Sequence, residues 1–201
     1  MKKDIKATKP LINMLNYITL PNDITTVYGS PSTGKTTFCF QCAANDCGKV
    51  IFIDTENSFN IERLQKMNPL LNLSNIILIR ATRYSEQFKA VKSLSQMKNL
   101  SFVIIDSFTH YYRRKIQEGI TINPPTIRML QMLKELKIPI ILTSQVYSDL
   151  NGNTKAIGGS LLNRYSEQTI KLEENEGKRK ATLEKTKTEI SFIITDKGLV
   201  V

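Results

Sequence analysis

The segment Gly29-Ser30-Pro31-Ser32-Thr33-Gly34-Lys35-Thr36 constrains this chain more than any other. It follows a β-prone run, ITTVY, and leads through Thr37 into FCFQCAA, a predicted helix. Gly29 and Gly34 free the backbone to turn successive N–H groups into one concavity, and the start of a helix adds a partial positive charge there. Such a nest binds an anion. The full pattern G-x-x-x-x-G-K-[ST], set between a strand and a helix, binds nucleotide phosphates: the loop through Thr37 cradles them, Lys35 reaches the outer ones, and the Thr36 hydroxyl ligates Mg2+.

The remainder of the chain repeats the alternation of strand and helix. Apolar runs at residues 49–54 (KVIFID), 75–81 (NIILIRA), 101–106 (SFVIID) and 138–145 (IPIILTSQ) read as buried strands. Between them, residues 61–67 predict a short helix, 85–98 an amphipathic helix with Phe88, Val91, Leu94 and Met97 on one face, and 126–137 another. This order predicts the α/β class, a mostly parallel twisted sheet flanked by helices. After Gln168 come shorter runs, TIKLEE, KATLEK and EISFIIT, broken by Gly177-Lys178 and Asp196-Lys197-Gly198. They predict antiparallel C-terminal strands extending the sheet.

A length of 201 residues suits one domain, which we divide into a short N-terminal extension, 1–23, and a core, 24–201. No apolar run approaches the roughly 18 residues of a membrane span, and MKKDIKATKP has no apolar segment behind its lysines, so a soluble cytoplasmic protein is expected. The 28 Lys and Arg exceed the 18 Asp and Glu, for a formal net charge of +10. That excess suits a polyanionic partner such as nucleic acid, and suits a basic, merely solvated surface equally well. Of the cysteines Cys39, Cys42 and Cys47, the first two fall on the predicted helix and read as small core hydrophobes, since structural zinc wants four ligands. The single histidine, His110, is assigned no role.

A metal held by Thr36 needs a carboxylate beside it. Asp106 follows four apolar residues and so ends a buried strand, at the sheet edge where α/β folds bind ligands; the competing reading is a turn cap. Hydrolysis also needs a group that orients water. Glu56, just past the second strand in DTEN, lies at the same edge and reads as general base, or alternatively as an exposed loop carboxylate.

In order, the phosphate loop, FIDTENSFNIERL (52–64), VIIDS (103–107), ILTSQVYSD (141–149) and GGSLLNRYSEQTIKLEE (158–174) resemble the landmarks of the RecA/RadA recombinase core over about residues 24–198. The chain is most similar to an archaeal paralogue branch consisting of the ATPase core alone. The resemblance implies a RecA-like P-loop NTPase fold with antiparallel C-terminal strands, ATP and Mg2+ as ligands, and DNA repair and recombination as the setting. It implies that Glu56 activates the attacking water, that Arg63 packs on adenine, and that Gln145 senses the γ-phosphate and relays it to the second of two DNA loops, closed here by Gly158 and Gly159. Lys35, Glu56 and Gln145 form the implied catalytic set.

The first DNA loop would span residues 108–125, where HYYRRK offers Tyr111 and Tyr112 for base stacking and Arg113, Arg114 and Lys115 for phosphates. The other reading packs both tyrosines on the core and leaves the cations solvated. The second loop, 147–157, contributes Lys155. The chain departs from the family pattern in three ways. Asn57 stands where recombinases commonly have Gly, and Thr186 lies between Lys185 and Lys187 where the core-only branch often has Lys-His-Arg. The residues before the first strand show neither a helical DNA-binding domain nor an F-x-x-A protomer-linking segment. Because ATP in this family sits between protomers, the resemblance implies ATP binding with a weak intrinsic or DNA-dependent ATPase. A recombination accessory is expected, binding single-stranded DNA without sequence specificity and assisting the main recombinase. The alternative is a RecA-like protein-interaction module or KaiC-like regulatory ATPase with little DNA contact.

Overall fold

The structure, a computed structural model, describes residues 14–46, 48–148 and 154–201. Cys47, the first part of the expected N-terminal extension (1–13) and the centre of the expected second DNA loop (149–153) lie outside the described residues.

The first half of the chain runs β1 (Ile24–Gly29), α1 (Lys35–Asn45), β2 (Lys49–Asp54), α2 (Ile61–Met67), β3 (Ile76–Arg80), α3 (Tyr84–Ser93), β4 (Leu100–Asp106) and α4 (His110–Gln117). It continues with α5 (Asn123–Glu135), β5 (Ile140–Ser144), β6 (Val146–Ser148), β7 (Thr154–Ala156), α6 (Gly159–Tyr165), β8 (Gln168–Asn175), β9 (Lys178–Leu183), β10 (Thr188–Thr195) and β11 (Gly198–Val200). Nine strands form one sheet in the order β11-β10-β9-β8-β1-β5-β4-β2-β3. From β8 to β3 neighbours are parallel, and from β8 to β11 antiparallel. The expected mixed α/β sheet with an antiparallel tail is what the chain builds.

Alternation along each central strand divides the core in two. On one face Val50, Phe52, Phe102 and Ile104 pack with Phe38 and Phe40 of α1. On the other, Ile51, Ile53, Val103 and Ile105 pack with Val91 of α3 and Leu130 and Leu133 of α5. Cys39 and Cys42 are buried in the first cluster, where desolvation raises both thiols above their usual range, as suits core hydrophobes. Met14 and Ile18, upstream of the expected boundary at residue 24, also pack there. Among the described residues no helix is long and apolar enough to cross a membrane.

Several details differ from the sequence-based expectation. The stretch expected as one DNA loop, 108–125, contains the whole of α4, and α5 starts at Asn123 because Pro124 and Pro125 occupy its first turn, where no N–H partner is needed. The helix expected over 85–98 ends at Ser93 and tightens into a 3-10 turn, Leu94–Gln96, that still buries Leu94. The second loop carries an antiparallel ribbon, β6 paired with β7. Neither α6 nor β11 was signalled by its short pattern.

Candidate functional site

The carboxyl ends of β1, β2, β4 and β5 bring the site together. At the end of β1, a Cβ on Gly29 would lie 2.2 Å from the Leu172 carbonyl oxygen of β8, so only glycine fits. Gly34 adopts φ 106°, a left-handed conformation that starts α1 at Lys35 and turns the loop back over the helix N-terminus. Thr33 ties the loop to itself through Oγ1 donating to the Ser30 carbonyl at 2.9 Å. The Lys35 ammonium donates to the carbonyls of Gly29 and Ser30, each at 2.8 Å. Burial lowers the Lys35 pKa, opposed by the nearby carboxylates of Asp106 and Glu56.

Asp106 and Thr36 meet as the metal reading requires, with the Thr36 hydroxyl donating to Asp106 Oδ2 at 2.7 Å. Asp106 is 3% exposed and also accepts hydrogen bonds from Thr143 and, at 3.4 Å, Ser58. Burial pushes its carboxyl above the usual range, against the lowering effect of the hydroxyls of Thr143 and Thr36. One carboxylate beside one hydroxyl is a hard oxygen set suited to Mg2+, which keeps several waters and takes phosphate oxygens as further ligands. Among the described residues no cluster of three or more His, Cys, Asp or Glu offers an all-protein metal cage.

A second buried carboxylate, Asp54, shapes the neighbouring turn. Its Oδ1 accepts the N–H groups of Glu56 and Ser58, and its Oδ2 that of Phe59, all at 3.1 Å. Asn57 takes φ 55°, so the residue standing where the family commonly has Gly keeps a left-handed turn, which Asn tolerates better than most residues. Glu56 is thereby directed at the phosphate loop's neighbourhood, where its Oε1 accepts Gln145 Nε2 at 2.8 Å. His110 Nδ1 lies 3.5 Å from the same oxygen. On the far side of Gln145, the Arg113 guanidinium donates to Oε1 at 3.4 Å.

Asp106, Glu56, Gln145 and Arg113 line a cleft of about 540 Å3, within the range of small-molecule sites. Pro31, Ser32, Gly34, Thr36, Thr37 and Lys35 form its floor. Arg63 reaches it from α2, donating to Thr37 Oγ1 at 2.8 Å, and Ile194 of β10 closes one side, so the tail strands border the cleft as well as extending the sheet. A second cavity, about 800 Å3, opens between α4 and the β6–β7 ribbon. Arg113 lines both cavities, and Tyr112, Tyr147, Lys155 and Asn163 line the second.

The stacking role expected of Tyr111 and Tyr112 is corrected by their burial, since each is only 7% exposed. Tyr111 donates to the carbonyls of Thr55 at 3.1 Å and Ala81 at 2.9 Å, and Tyr112 to Asn123 Oδ1 at 2.8 Å. The helix repeat turns them inward while leaving Arg113 and Arg114 exposed; Lys115 is half-buried and bonded to Glu118 at 2.7 Å. Tyr147, not singled out in the sequence, is half exposed beside the second cavity, and His110, to which the sequence assigned no role, lies against Glu56. An isolated aromatic and a lone histidine carry no local motif that would have singled them out.

The Rad51 family pattern matches residues 8–200. A DNA repair and recombination protein RadB from Methanococcus maripaludis strain C7 is 38% identical over 176 residues, covering 81% of each chain. A protein of the same name from Methanocaldococcus jannaschii is 32% identical over 195 residues, covering 88% of this chain and 92% of its own. The crystal structure of the RadB recombinase superposes with a TM-score of 0.72 at 28% identity, covering 90% of both chains, which makes the fold RecA-like. The sheet and its order of elements are accordingly those of a recombinase paralogue, and the chain belongs to the Rad51 family.

Proposed function

We propose that this chain binds ATP and Mg2+ in the 540 Å3 cleft, hydrolyses ATP slowly, and contacts DNA through the exposed face of α4 while assisting a main recombinase in cytoplasmic DNA repair and recombination. The reading is carried by one observation: Glu56, Gln145 and Arg113 form a hydrogen-bonded series from the first cleft to the second cavity.

In this reading the loop N–H groups and Lys35 counter the phosphate charge, and Arg63 lies against adenine. Thr36 and Asp106 would hold Mg2+, which would supply positive charge against the phosphates. Glu56 holds and orients a water through its carboxylate. Gln145 reports the state of the γ-phosphate toward the ribbon and α4. Arg113, Arg114 and Lys155 take DNA phosphates without reading bases, so binding is independent of sequence. Tyr147 is the stacking residue here, in place of the buried tyrosines of α4, and it favours single strands. In this reading turnover by a single chain is slow, since a positive group delivered from a neighbouring protomer is worth roughly 10³–10⁵ in rate where a class uses one.

The test is ATP turnover by the full chain, wild type against Lys35→Ala and Glu56→Gln, with and without single-stranded DNA. Turnover that rises with DNA and vanishes in both variants supports the reading. Turnover unaffected by Lys35→Ala refutes the site.

A further inference from the structure

Glu56 is held on one side by Gln145, and the structure supplies a second holder from a different element. His110, the first residue of α4, brings Nδ1 to 3.5 Å from Glu56 Oε1, with the two side chains 27% and 35% exposed. Its ring stands edge-on to Tyr111, with centroids 4.7 Å apart and planes at 85°, which limits its rotation. Tyr111 is itself anchored by its hydroxyl to the Thr55 carbonyl, the residue before Glu56. On the other flank, Thr109 Oγ1 accepts the backbone N–H of Gln145 at 3.1 Å. Thr55 and Ser107 close the frame, Ser107 N donating to Thr55 Oγ1 and Thr55 Oγ1 to the Ser107 carbonyl, both at 2.8 Å. The start of α4 is thus fastened to both the turn carrying Glu56 and the strand end carrying Gln145.

We infer that His110 is a positioning residue for Glu56: its imidazole, with Nδ1 3.5 Å from Oε1, and the Gln145 amide that donates to the same oxygen confine the carboxylate so that Oε2 is presented to water. Among the described residues no donor addresses Oε2. A hydrogen bond from one element and a packed ring from another restrict rotation about the terminal carboxylate bond, which a single amide leaves soft. Orientation of this kind acts on the reacting step rather than on nucleotide binding, because His110 does not line the phosphate cleft. The inference rests on the reading of Glu56 as the water-orienting group.

The experiment compares His110→Ala, His110→Asn and Glu56→Gln with wild type in the full chain. It measures ATP turnover at saturating nucleotide, KM, and affinity for a fluorescent ATP analogue. His110→Ala lowers kcat by roughly tenfold, because the carboxylate loses its orientation, with analogue affinity unchanged. His110→Asn, whose amide nitrogen stands where Nδ1 stood, recovers most of the loss. A second readout needs no turnover: the chain has a single histidine, so its imidazole ¹⁵N resonances are unambiguous. They move in Glu56→Gln and stay put in Glu189→Gln on β10.

Wild-type kcat in His110→Ala, alongside an inactive Glu56→Gln, overturns the inference and leaves the role of Glu56 standing. An active Glu56→Gln overturns the underlying reading and the inference with it. Should wild type show no turnover, imidazole resonances indifferent to Glu56→Gln overturn the contact itself.

Discussion

Replacing Arg113 and Arg114 together by Ala tests where DNA is held, and the structure sets the size of the effect. Both arginines are exposed, and Arg113 keeps only a 3.4 Å contact to Gln145, so both guanidinium groups are open to phosphate. Lys115 is half-buried against Glu118 at 2.7 Å and contributes less. Each phosphate contact on a single strand adds about 0.7 to the slope of log K against log salt. Losing two contacts flattens the slope by about 1.4, and at 0.1 M salt weakens binding about 25-fold. Fluorescence anisotropy with a labelled oligonucleotide at four salt concentrations measures both quantities, and Lys115→Ala in parallel produces the smaller change. Tyr111→Phe, which keeps the ring but drops the inward hydroxyl, leaves the slope as in wild type. A double variant with an unaltered slope refutes the assignment of α4 as the phosphate-binding face, whatever its effect on stability.

Three further outcomes follow from other parts of the molecule. Gly29→Ala forces a methyl against the Leu172 carbonyl at 2.2 Å; nucleotide binding is lost and stability falls by about 1–3 kcal/mol, as calorimetry and analogue titration would show, and wild-type affinity would contradict the close approach. Phe52→Ala removes the ring that packs on Phe40 and Phe59 at centroid distances of 5.6 and 5.1 Å, costing about 3–5 kcal/mol in urea denaturation, and a loss below 1 kcal/mol would place the core elsewhere. Burial raises the Asp106 pKa in the folded state above its unfolded value, so its contribution to stability is present at acid pH and lost as pH rises through the folded value. The stability of wild type relative to Asp106→Asn, measured without Mg2+, therefore declines from pH 4 upward and then levels off; a rising difference would refute the burial argument.

Local signals were enough to reveal the long strands, most helices and the glycine-bounded loop. The continuous apolar runs of KVIFID and SFVIID, buried on both faces of the sheet, are written in consecutive residues, and so are the glycines and the Lys35-Thr36 pair that the loop needs. Asp106 could be anticipated because a carboxylate ending an apolar run has one place to go in an open parallel sheet. α4 was hidden for the opposite reason. HYYRRK reads alike as a basic aromatic loop or as a helix with two faces, and what separates the two is the acceptors waiting for the tyrosine hydroxyls. Those acceptors, the carbonyls of Thr55 and Ala81 and the side chain of Asn123, come from the ends of β2 and β3 and the start of α5.

The sequence by itself determined the fold class, the glycine-bounded loop at the start of α1 and the carboxylate that lies beside it, since each depends on neighbours along the chain. Only the tertiary structure decided that Tyr111 and Tyr112 face the core, that Ile194 of the tail borders the cleft, and that His110 meets Glu56. These pairings join residues far apart in the chain, and their energies exist only after the sheet has brought its strand ends together, so no local pattern can carry them.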